Sequence, residues 1–141
     1  MRISCLAAFQ IAWLGLSLVA CRTSAAGSYA LDFEETKVCV TKAALAGEEA
    51  TMRDSTIKLL QTTNVDVLLE EGGKMTSTTT FSGPEAFAPQ KTVGTWKLDD
   101  KRVLIQVKGI PDTTCEVDGK RLRCHKPTPN TLFSDYVLVR K

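Results

Sequence analysis

Five cysteines and a single histidine, His125, are the residues of this chain best suited to chemistry. Cys124 and His125 are adjacent and Cys115 lies shortly before them, and two thiolates with an imidazole would suit zinc or copper. No Cys-x-x-Cys pair and no second histidine accompany them, so neither a metal nor a cofactor is expected. A histidine-assisted nucleophile would have to combine His125 with a serine or with Cys39, and no nucleophile elbow surrounds either. Phosphate-cradling glycine loops and metalloprotease helix motifs are missing as well. Carboxylates stand side by side at Glu70–Glu71 and Asp99–Asp100, in turn-like stretches where solvated charge is the ordinary reading and paired acid/base work the rare one. The expectation is therefore a chain without a catalytic set.

The elements that would position these residues follow from periodicity. Ser28–Leu31 reads as a first strand, after which Asp32 supplies a helix N-cap with Glu35 three positions on, in the spacing of a capping box. From Phe33 to about Leu60 good helix formers place Phe33, Val40, Ala44, Ile57 and Leu60 on an apolar stripe, and Gly47 predicts a break near 46–48 into two helices. After Asn64 the period becomes alternating and β-branched residues increase. Strands are expected at 65–70, 74–81, 92–98, 102–108, 114–117, 121–125 and 135–140, with Glu71-Gly72-Gly73, Asp99-Asp100-Lys101 and Asp118-Gly119-Lys120 as tight connections. Val103, Ile105 and Val107 share one strand face, as do Trp96 and Leu98, while Thr76, Thr78 and Thr80 lie opposite Met75 and Phe81. So many short strands leave exposed edges unless the sheet closes, which a small barrel achieves with the helices capping one end. The fold class expected is α+β, mainly β: one or two N-terminal helices, then an antiparallel meander closing into a small barrel.

The first twenty residues differ from the rest. Arg2 is their only charge, and the run from Ile3 to Ala20 is otherwise apolar, small or weakly polar, the layout of a secretory signal. Its end, Leu18-Val19-Ala20-Cys21, resembles the bacterial lipobox, in which the cysteine thiol receives a diacylglyceryl group before cleavage. That resemblance implies residues 1–20 as a removed signal peptide, Cys21 as the lipidated residue, and 21–28 as a lipid-bearing cysteine with a flexible tether. An uncleaved membrane-spanning helix over the same run is the alternative. Each buried methylene contributes about 0.8 kcal/mol and firm anchoring takes at least two chains, which an N-acylated, diacylated Cys21 would have. The membrane, reached through these acyl chains, is thus an expected partner. Arg22 stands where an inner-membrane retention signal would resemble an aspartate, so the outer membrane is favoured.

The chain has 18 basic and 16 acidic residues, and losing Arg2 with the signal leaves a net charge of +1, with no nucleic-acid footprint or polybasic patch. What remains suits one domain over residues 29–141. Cys39, Cys115 and Cys124 would then meet an oxidising compartment. Cys115 and Cys124 bracket the Asp118-Gly119 turn at the parity of Val117 and Leu122, so a disulfide across adjacent strands is expected, worth about 2–3 kcal/mol for so short a loop. Cys39, on the helix, is then a small apolar residue; its bridging to the barrel is the rival pairing.

Three fragments, Gly27-Ser28-Tyr29-Ala30-Leu31-Asp32, Gly94-Thr95-Trp96-Lys97-Leu98-Asp99 and Asp118-Gly119-Lys120-Arg121-Leu122, together resemble small lipocalin-like lipoproteins of the bacterial envelope. The resemblance covers nearly the whole chain after Cys21 and implies structural duties: Gly94 allowing close backbone approach or bending, and Trp96 filling a barrel end. It carries no catalytic residue. The function it implies is non-catalytic binding of a small apolar or lipid-like ligand in a lipid-anchored protein; a surface acting on another envelope protein, as inhibitor or assembly partner, is the alternative.

Overall fold

The computed structural model describes residues 24–42, 48–83, 88–127 and 134–141. The apolar leader, Cys21, Gly47 and part of the loops containing Pro84 and Pro129 lie outside the described residues. The chain runs β1 (Gly27–Leu31), α1 (Phe33–Lys42), α2 (Glu48–Gln61), β2 (Thr63–Leu69), β3 (Lys74–Phe81), β4 (Gln90–Asp99), β5 (Arg102–Gln106), β6 (Thr113–Asp118), β7 (Arg121–His125) and β8 (Asp135–Arg140). Each strand pairs antiparallel with its neighbour in sequence, and β1 pairs with β8 to close an eight-stranded barrel. Two helices followed by a closed meander is the architecture anticipated from the change of period.

Alternation decides what fills the barrel. Tyr29, Leu69, Val103, Leu122 and Leu138 point inward and are buried in one core, with Trp96, Leu98 and Val117 packed against it. Trp96 closes the end carrying the β2–β3 turn, and its indole Nε1 donates to the Glu70 carbonyl at 2.8 Å. Gly119 takes φ +59° in the β6–β7 turn, the left-handed conformation its Asp-Gly context anticipates. The same end is plugged by residues before β1. Ala25 is buried, Tyr29 Oη donates to the Ala25 carbonyl at 2.7 Å, and Arg140 Nη2 donates to the carbonyls of Ser24 and Ala26 at 3.0 and 3.2 Å. The expected tether over 22–28 is therefore packed against the barrel from Ser24 onward. What holds it is a guanidinium from the last strand gathering backbone carbonyls, which no apolar periodicity reveals.

The other end is organised by Asp32. Its carboxylate accepts from the Glu35 amide at 3.1 Å, as an N-cap should. The return half of the capping box does not form: the Asp32 amide donates to the Val137 carbonyl, and the Glu35 carboxylate instead accepts from Arg123 Nη1 at 3.3 Å. β1 stops at Leu31, while β8 and β2 continue past it. α1 and α2 occupy the seam this leaves, α1 against β8 and α2 against β2. Thr36 stands in for the missing strand, since its hydroxyl accepts from the Val137 amide at 3.0 Å and lies 3.4 Å from the Val137 carbonyl. Both residues are fully buried. Thr36→Val keeps the shape but leaves the Val137 amide without its acceptor, and we expect a loss of about 1–3 kcal/mol by urea denaturation. Thr41→Val, whose hydroxyl only back-bonds to Lys37 on an exposed face, should change stability by less than about 0.5 kcal/mol. Equal effects of the two would show that the seam is not held this way.

Candidate functional site

The lower half of the barrel is filled, whereas the upper half, toward the helices, holds a half-open cavity of about 480 Å³. Val67, Met75, Ile105 and Leu138 belong to the packed core and also face this space, forming its floor. Leu31, Val65, Phe81 and Val107 supply apolar wall above them, and Ile110 and Pro111 reach it from the β5–β6 connection. At the seam the lining comes from the helices, through Thr36, Leu59 and Leu60. A volume in the range of about 300–1,000 Å³, mostly apolar and with few polar groups, is what small-molecule sites ordinarily present.

The polar groups of the lining are mainly hydroxyls: Thr63, Ser77, Thr79, Thr92, Thr113 and Tyr136, with Thr36 at the seam. Ser77 and Thr79 alternate with the outward Thr76, Thr78 and Thr80, so β3 presents one hydroxyl row to each side of the sheet. Parity with Met75 was the signal that could have picked out the inner pair. Burial pushes the Tyr136 phenol up, opposed by its hydrogen bond with Thr113, so it remains a protonated hydroxyl at neutral pH. Among the described residues Lys126 is the one charged member of the lining, and no Asp or Glu contributes to it.

The residues singled out for chemistry lie elsewhere. Cys115 and Cys124 are direct partners across β6 and β7 and form a disulfide on the inner face, both buried. His125 follows Cys124 and so points outward, with its side chain largely exposed. Adjacency in sequence thus separates the imidazole from the sulfurs, and the disulfide takes both thiols that a metal set would need. His125 Nδ1 meets Asp135 Oδ1 at 2.7 Å on the outer wall. Glu70, Glu71, Asp99 and Asp100 are exposed in or directly beside turns, Asp99 as the last residue of β4.

Cys39, the free cysteine among the described residues, is half-buried on α1. It shares an outer cleft with His125 and Asp135, together with Lys42, Glu116 and Arg123. Nothing in residue order brings a thiol, an imidazole and a carboxylate together, because they come from α1, β7 and β8. Burial pushes the Cys39 thiol up, and Asp135 and Glu35 add to the rise against the opposing Arg123 and Lys42. A nucleophilic cysteine requires the opposite shift. The neighbouring ion pairs Asp32–Arg121 at 3.2 Å and Glu35–Arg123 at 3.3 Å tie the start of α1 to β7, and Asp118–Arg123 at 3.1 Å ties β6 to β7. At such exposure each contributes on the order of 0–1 kcal/mol.

The chain has no significant match among protein-family models, curated proteins or solved structures. Its class therefore rests on architecture: a small, closed, eight-stranded antiparallel barrel compatible with the lipocalin-like fold. A barrel of this kind with a half-open interior is consistent with a binding domain.

Proposed function

We propose that this chain is a lipid-anchored protein of the bacterial envelope, favouring the outer membrane, that binds a small apolar or lipid-like ligand without catalysis. The observation that carries the binding reading is the cavity of about 480 Å³, whose floor is core hydrocarbon and whose walls mix apolar side chains with hydroxyls. An interior filled throughout would favour the alternative, a surface acting on another envelope protein; here packing fills only the lower half. The lipobox-like residues ending at Cys21 support the anchor, and the raised thiol of Cys39 argues against nucleophilic chemistry in the outer cleft.

Titration with N-phenyl-1-naphthylamine, an uncharged fluorescent probe, tests the site. The wild-type protein should bind it saturably, and Ser77→Phe, which places a ring in the inner row of β3, should weaken binding at least about tenfold while the circular dichroism spectrum is retained. Native mass spectrometry of protein extracted from its own cell should also show a small co-purified molecule. Absence of probe binding by the wild type, or equal affinity in the folded variant, would remove the reading.

A further inference from the structure

Alternation along β7 places Leu122 and Cys124 on the inner face, and Lys126 continues that row at the mouth. The Lys126 amide donates to the Ser134 carbonyl at 2.7 Å, so its backbone is fixed in the β7–β8 pairing rather than loose. The same registers set Lys126 beside Thr113 on one flank and diagonal to Tyr136 on the other. Thr113 and Tyr136 are hydrogen-bonded to each other and also line the cavity. This corner gathers one cation and two hydroxyls beside the apolar part of the lining, no carboxylate contributes to that lining among the described residues, and the ammonium makes no ion pair among them.

We infer that the ligand is an amphiphile with a single apolar body and one anionic group, the body in the cavity and the anion on Lys126. This deepens the proposed function and rests on it. A volume of about 480 Å³ falls in the lower half of the roughly 300–1,000 Å³ that small-molecule sites span, which suits one chain or a small ring system. A cation that keeps its head in water while its stem lies on apolar wall suits an anion at the mouth, and the hydroxyls can complete the acceptor's hydrogen bonds.

The test compares three single-chain ligands on the full folded barrel: a fluorescent polyene fatty acid, its methyl ester, and an alkyl phosphate of equal chain length. The wild type should bind the acid about ten- to a hundredfold more tightly than the ester. Lys126→Met should remove that preference by weakening the acid and leaving the ester unchanged, Lys126→Glu should weaken the acid further, and Lys126→Arg should restore it. Tighter binding of the phosphate than the acid would assign the anion as phosphate, and weaker binding would assign it as carboxylate. Equal affinity for acid and ester, or a Lys126→Met loss shared by both, overturns the inference and leaves the apolar site standing. Failure of all three to bind would instead overturn the proposed function itself.

Discussion

Cys21→Ser should yield a protein without acyl groups that keeps residues 1–20, because serine offers no thiol for the thioether that precedes cleavage. Intact-mass measurement of the two proteins reads both changes at once. A chain beginning at Ser24, the first residue of the packed N-terminal segment, should move from the membrane pellet to the soluble fraction with its barrel unchanged by circular dichroism. The expected effect is large: one saturated chain alone confers a membrane association on the order of 10⁴ M⁻¹, and a lipidated Cys21 would carry more than one. The net charge of +1 that removal of the leader would leave offers no electrostatic substitute for such an anchor. An acylated Cys21→Ser protein, or membrane retention of the chain starting at Ser24, would sink the anchor and with it the assignment to the envelope.

Gly94→Ala should be among the most destabilising single-methyl additions in the barrel. A Cβ at Gly94 would point to the inner face, 2.8 Å from Val107 Cγ2 and 3.2 Å from the Gln106 carbonyl carbon, and would run into the carbonyl oxygen itself. The obstacle is backbone at the end of β5, one pair beyond the Thr95–Gln106 register, so relief requires moving one strand against another. Overpacking of this kind costs about 1–3 kcal/mol, and a backbone obstacle places the expected loss near 3 kcal/mol, a large part of a stability of about 5–15 kcal/mol. Because Val107 lines the cavity, probe affinity should fall along with the urea midpoint. Gly72→Ala is the matched control: nothing lies within 4 Å of its added methyl, and its midpoint should stay within about 0.5 kcal/mol of wild type. Equal stability of the Gly94 and Gly72 variants would show that β4 has room to shift.

Much of this arrangement was legible in residue order. The strands at 74–81, 121–125 and 135–140 run between the residues expected, and the other five are each displaced at one or both ends by a residue or two, because ladder pairing extends or ends a strand irrespective of the type of its terminal residue. The Cys115–Cys124 partnership followed from parity about the Asp118-Gly119 turn, and the close approach at Gly94 from a glycine inside a strand. The cavity was less legible. Ser77 and Thr79 could have been placed beside Met75 by counting in twos, but Thr36, Leu59 and Leu60 reach the same space from helices whose docking no local pattern encodes.

Residue order by itself determined the period of each segment, and hence one or two helices, eight strands, which side chains share a face, and where glycine and aspartate turn the chain. Those properties depend on neighbours a few positions apart, and steric preference fixes them locally. Only the closed structure decided that β1 stops short of the ends of β2 and β8, that Thr36 completes β8 there, that Arg140 draws residues 24–26 onto the lower end, and that Lys126 is the one charge among the described residues lining the mouth. Each of these joins groups far apart along the chain, and such contacts exist only once closure has brought the first and last strands together.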